Sequence, residues 1–135
     1  MPTYSASKVA TTVQSRAGTD ITSVTASYTI AVALVTSDVI QLCKVPAGAT
    51  IQEVIFSCSA SVGATANLSI GDGNSTARFI SSTAHTATTL TRLNAHIGHG
   101  YLYTVEDTID VAAASIVTGT TGTVVTLTVV YTMQS

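Results

Sequence analysis

Apolar and polar residues alternate with a period of two along much of this chain. Val24, Ala26, Tyr28, Ile30, Val32 and Leu34 interleave with Thr25, Ser27, Thr29, Ala31 and Ala33. Period two puts successive side chains on opposite faces of an extended strand. The run predicts a half-buried strand, with Val24, Tyr28, Ile30 and Val32 on the buried face and Thr25, Ser27 and Thr29 opposite. Thr36-Ser37-Asp38 predicts a turn, and Val39 to Val45 a second, more apolar strand. Pro46-Ala47-Gly48-Ala49 stops that strand, because proline donates no ladder bond and glycine accepts turn geometry. Thr50 to Ser59 predicts a third strand, with Ile51, Glu53, Ile55 and Ser57 on one face and Gln52, Val54, Phe56 and Cys58 on the other. If the Pro46–Ala49 turn closes a hairpin, Cys43 pairs near Gln52.

The pattern continues to the C-terminus. Ala66 to Ile70 predicts a short strand, Gly71-Asp72-Gly73-Asn74 a tight turn, and Arg78-Phe79-Ile80 the start of another strand. Residues 81–89 read as a Ser/Thr/Ala loop and Leu90 to Ile97 as a strand. Tyr101-Leu102-Tyr103 follows a turn at Gly98-His99-Gly100. Thr108 to Val111 and Thr123 to Met133 complete the series. About eight antiparallel strands at regular spacing, with almost no helical periodicity, predict an all-β single domain. A β-sandwich or jelly roll spanning residues 21–135 fits. Residues 1–20 are small and polar; Val9 and Val13 share a helical face, but two apolar residues do not bury a helix. That segment predicts an extended N-terminal arm that orders on contact.

Val124 to Tyr131 contains no charge, glycine or proline. As an exposed edge it would template aggregation, so it is expected to be central or covered by another chain. Composition sharpens this. Only 9% of residues are charged, against about 25% in an average soluble domain, and the polar positions are taken by Ser and Thr. So little surface charge suits a protein that works inside an assembly. Five basic residues and a net charge of −2 provide no field for a phosphate backbone, so nucleic acid is not expected as a partner. No apolar run is long enough for a membrane helix, and no secretory signal begins the chain. Synthesis in a cytoplasm is therefore expected, and Cys43 and Cys58 are expected as buried thiols not bonded to each other.

Candidate chemistry is sparse. His85, His96 and His99 lie close in sequence, but residues three apart on a strand face opposite ways, and no Cys or carboxylate lies at ligand spacing. They read as polar loop residues. Asp72-Gly73-Asn74-Ser75-Thr76 lacks the sixth-position glycine and closing glutamate of a calcium loop and reads as a turn. Glu106, Asp107 and Asp110 read as solvated turn charges. Two Asn-x-Ser/Thr patterns, at Asn67 and Asn74, are expected by chance in so Ser/Thr-rich a chain. There is no nucleophile elbow or phosphate loop. No catalytic residue, cofactor or metal is expected.

The stretch Val39-Ile40-Gln41-Leu42-Cys43-Lys44-Val45-Pro46-Ala47-Gly48-Ala49-Thr50-Ile51-Gln52-Glu53-Val54, with the later Asn67-Leu68-Ser69-Ile70-Gly71-Asp72-Gly73, resembles small head proteins of tailed bacteriophages that decorate or cement the capsid. The resemblance spans roughly residues 38–80. It implies a jelly-roll virion protein on the outer capsid surface, bound to the major capsid protein and to itself as a homodimer or homotrimer. It carries no catalytic residues. Tyr4, Lys8 and Arg16 are the expected capsid contacts of the arm. A receptor- or glycan-binding domain of a phage fibre would share the fold and is the competing reading.

Overall fold

A computed structural model describes residues 3–5, 21–32, 34–60, 67–84, 90–113 and 121–133. Nine strands are present among them: β1 (Thr3–Ser5), β2 (Ile21–Thr29), β3 (Val39–Val45), β4 (Ala49–Cys58), β5 (Asn67–Gly71), β6 (Ile80–Ala84), β7 (Leu90–Arg92), β8 (Asp107–Ala113) and β9 (Val124–Met133). They form two sheets, one in the order β1-β3-β8-β5-β6 and one in the order β2-β9-β4-β7. Setting β1 aside, the remaining eight strands divide four to each sheet of a β-sandwich. All pairings are antiparallel except β1 on β3, which is parallel. Among the described residues no helix is long and apolar enough to cross a membrane.

The core fills the space between the sheets. Ile40, Leu42, Ile51, Phe56, Leu68, Ile70, Ile109, Leu127 and Tyr131 are fully buried there. Removing each such side chain from water stabilises the fold by about 1.5–3 kcal/mol. β9 is central, flanked by β2 and β4, the first of the two placements that its uncharged sequence left open. Cys43 and Cys58 are both buried and are not joined in a disulfide.

Several sequence expectations need correcting, and most trace to β-bulges or to chain crossing. The alternation in β2 holds, with Thr22, Ala26 and Ile30 buried and Val24 and Tyr28 half-buried, but the strand ends at Thr29. Val32 lies beyond it and is 50% exposed. In β4 the register shifts between Ile51 and Glu53. One extra residue flips every side chain after it, so Ile51 shares the buried face with Val54, Phe56 and Cys58 instead of with Glu53 and Ile55. β3 shifts likewise between Gln41 and Cys43, which buries both Leu42 and Cys43.

Pro46–Gly48 does not close a hairpin. β3 and β4 lie in different sheets, and the turn carries the chain across the sandwich, with Gly48 at φ 90° and its N–H donated to the Tyr103 carbonyl at 2.6 Å. The strand expected to begin at Arg78-Phe79-Ile80 is β6 (Ile80–Ala84), which runs on through residues 81–84, where a loop was expected. The strand expected over residues 90–97 stops at Arg92 and is followed by a 3-10 turn at His96–Gly98. Of the expected arm, Thr3–Ser5 lies on the edge of the five-stranded sheet, and residues 6–20 fall outside the described residues.

Candidate interaction surfaces

Asp72 accepts hydrogen bonds at both carboxylate oxygens. The Gly-Asp-Gly-Asn turn that precedes β6 puts it at 1% exposure. Its Oδ1 accepts the N–H groups of Asn74 at 3.0 Å and Ser75 at 2.9 Å, and its Oδ2 accepts Arg78 Nε and the Tyr103 hydroxyl, each at 2.7 Å. Burial alone would raise its pKa. The hydrogen bonds from Arg78, Tyr103 and Ser75 outweigh that and hold it below the usual carboxylate range. Arg78 also stacks 3.9 Å above the centre of the Tyr101 ring, which meets Tyr103 edge-on at 4.9 Å. Gly71 is required here, because a Cβ would collide with the Ser75 carbonyl. The loop is a brace between residues 71–78 and 101–103. With its lone pairs taken up by protein donors, Asp72 has no capacity left for a cation or a water nucleophile.

The acidic trio divides. Glu106 is exposed and 3.9 Å from Lys44 Nζ, and Asp107 is half-buried at the start of β8. Asp110, expected as a solvated turn charge, is instead buried within β8 at 7% exposure. It sits between Gln41 of β3 and Gly71 of β5, and its Oδ1 has no hydrogen-bond partner. Burial pushes its pKa up to about 7; a hydrogen bond from Thr108 opposes the shift, and the charges of Asp107 and Asp72 add to it. The side chain borders a cleft of about 460 Å³ on the outer face of the five-stranded sheet, lined also by Thr3, Val39, Gln41, Asp72 and Ala112.

The outer face of the four-stranded sheet is different in kind. β2 and β9 contain no charged residue. Their hydroxyls bond across the strands, Thr25 to Thr128 and Ser27 to Thr126, both at 2.9 Å, and Gln52 Nε2 donates to Thr132 at 3.3 Å. Ionic character enters only towards β7, where Arg92 meets Glu53. The result is a neutral face whose polar groups largely satisfy one another. Sequence reasoning did not single it out as a surface, although the Thr alternation of β9 and the Ser/Thr alternation of β2 carried the signal.

The expected contact residues are not brought together among the described residues. Tyr4 is half-buried in β1, its ring centre 6.2 Å from that of Tyr28, while Lys8 and Arg16 lie outside the described residues. His96 and His99 are exposed at the two ends of the 3-10 turn; His85 lies outside the described residues. No group of three or more His, Cys, Asp or Glu able to hold a metal occurs among the described residues.

No protein-family model matches the chain, and no curated protein matches it by sequence. Solved structures do match in fold. A chain in the capsid of Ralstonia phage GP4 superposes with a TM-score of 0.83 at 17% identity, covering 99% of this chain and 99% of that chain. A chain in the capsid asymmetric unit of cyanophage Pam1 gives 0.72 at 22% identity, covering 92% of each. A chain in the acidic stable capsid of Helicobacter pylori bacteriophage KHP30 gives 0.63 at 16%, covering 85% of this chain and 89% of that chain.

Proposed function

We propose that this protein is a structural component of a phage virion, which binds the outer surface of the capsid and stabilises it as a decoration or cement protein. The observation that carries the reading is coverage. The chain in the Ralstonia phage capsid is matched over 99% of both lengths, so it is nearly as short as this one. The likeness is therefore to a whole small body found in a capsid, and not to one domain of a large shell subunit.

The surfaces support the same reading. A cement protein adds contact across seams between shell subunits, and contact made without exposed ion pairs is little weakened by salt. The neutral face of β2 and β9 offers aliphatic carbons and hydroxyls already hydrogen-bonded to one another, which cost less to cover than unpaired polar groups. Many shared seams per particle let modest affinity at each accumulate. In this reading the major capsid protein is the principal partner, a homodimer or homotrimer is the bound form, and residues 1–20 act as an arm that reaches the shell through Tyr4, Lys8 and Arg16. The protein is made in the host cytoplasm and ends on the capsid surface. No catalytic step is involved.

Purified particles test the assignment. The chain should co-purify in a fixed ratio to the major capsid protein and be removable without releasing that protein. Its recovery with tail fibres in place of emptied heads would refute the reading and favour receptor binding.

A further inference from the structure

The four-stranded sheet ends on one side in β2, a nine-residue strand that forms a long edge among the described residues. Among the described residues, only β9 pairs with it. The other edges are short or covered. β1 and β7 have three residues each, and beside β6 Asn94 takes the Ser81 N–H through its Oδ1 at 3.0 Å. Proteins usually guard long edges with Lys, Pro or a bulge. β2, Ile-Thr-Ser-Val-Thr-Ala-Ser-Tyr-Thr, has neither Lys nor Pro, and its register with β9 runs unbroken from Ile21 to Thr29.

The direction of its free backbone groups follows from the ladder. Ile30 N–H donates to the Thr123 carbonyl and Ser59 N–H to the Val124 carbonyl. Hydrogen-bonding pairs alternate along an antiparallel ladder. The even residues of β2 thus bond to β9, while Ile21, Ser23, Thr25, Ser27 and Thr29 aim their N–H and C=O groups outward.

We infer that β2 pairs antiparallel with β2 of a second copy about a two-fold axis through Thr25, joining two four-stranded sheets into one of eight. That register sets every outward residue opposite another: Ile21 against Thr29, Ser23 against Ser27 and Thr25 against Thr25 of the second copy. On the outer face hydroxyl meets hydroxyl at the Ser23–Ser27 and Thr25–Thr25 pairs, extending the Thr25–Thr128 and Ser27–Thr126 rows. On the inner face Val24 meets Ala26. Because the edge is uncharged, meeting itself costs no like-charge repulsion, and it offers nothing for a charged partner to read. Val24 and Tyr28, half-buried in one chain, gain the cover they lack. This deepens the capsid reading by naming the self-contact, but the pairing itself requires no shell.

The wall is small. Nine residues span about 30 Å and the sheets lie about 10 Å apart, so each partner contributes a few hundred Å², below the ~800 Å² of a standard interface. The dimer is accordingly weak when dilute and populated when copies are concentrated or held side by side.

Disulfide trapping of the purified chain at high concentration tests the register. Thr25→Cys should cross-link to itself, since directly paired Cα atoms lie about 5.5 Å apart, within disulfide reach. Ser23→Cys alone should give only traces, and Ser23→Cys mixed with Ser27→Cys should give the mixed dimer. Thr25→Pro, which removes an outward N–H and the hydroxyl bonded to Thr128 but no backbone bond to β9, should abolish wild-type-like dimerisation in sedimentation while leaving the fold intact. Thr25→Lys, placing like charges on the axis, should do the same should the proline variant not fold. Equal cross-linking by Thr25→Cys and Ser23→Cys, none by either, or a trimer as the concentrated species would overturn the inference. Since particle stabilisation is measured separately, a failure here leaves the capsid reading standing.

Discussion

Replacing Asp110 with Asn should stabilise this protein at mildly alkaline pH. The Asp110 pKa lies at about 7 in the fold, against about 3.9 for an unperturbed aspartate. A carboxyl whose folded pKa is raised favours folding fully only below its unfolded value, and that advantage disappears as pH rises through the folded value. About three pKa units at 1.36 kcal/mol each amount to roughly 4 kcal/mol lost between pH ~4 and pH ~8. Asn cannot ionise and so avoids the loss, but its amide leaves donors to be satisfied beside Gln41. A net gain of about 2–3 kcal/mol at pH ~8 is expected, which raises Tm by on the order of 10 °C in a chain of this size. Urea unfolding from pH ~5 to pH ~8 is the assay. The wild type should weaken with rising pH, the variant should stay level, and the two should converge near pH ~5. A wild type that strengthens over this range, or a variant less stable at pH ~8, would refute the reasoning.

Asp72→Asn should cost about 3–5 kcal/mol in the same assay, because it strands the mostly buried Arg78. The wild type should also weaken as pH falls through the lowered Asp72 pKa, since a depressed carboxylate stabilises above its ordinary value and ceases to below its folded one. Phe56→Ala should cost about 3–5 kcal/mol through the cavity it leaves, whereas Val32→Ser at an exposed site should stay within about 0.5 kcal/mol. Neither Cys43 nor Cys58 should react with a thiol reagent until denaturant is added, given their burial and a Cys58 thiol pushed up to about 11.

Much of the fold was legible because period two is a direct readout of which residues face the core. β3 has the bounds that the pattern gave, and the lack of charge in β9 narrowed it to a central place or one covered by another chain, of which the fold takes the first. The failures share a physical cause: alternation says which face a side chain takes only until the ladder slips. Bulges at residues 41–43 and 51–53 slip it, and no residue type in either strand marks them beforehand. The Pro46–Gly48 turn was recognised as a turn, but short connections that cross between sheets and those that close hairpins use the same residues. Asp110 was misjudged because proximity to Glu106 and Asp107 suggested a solvated cluster. Its neighbours across the sheet, Gln41 and Gly71, come from distant parts of the chain. The brace at Asp72 was visible as a turn, yet its partner Tyr103 is thirty-one residues away. The open edge of β2 depends on sheet order, which no local pattern encodes.

The central claim is that the chain cements a capsid through neutral contacts. The direct measurement strips it from particles, adds it back at low and at high salt, and heats both samples. The account predicts that heat resistance returns at both salt levels, because contacts without ion pairs are little affected as the Debye length falls to ~3 Å at 1 M salt. Stripped particles that are as heat-stable as intact ones but fail to adsorb to cells would contradict it.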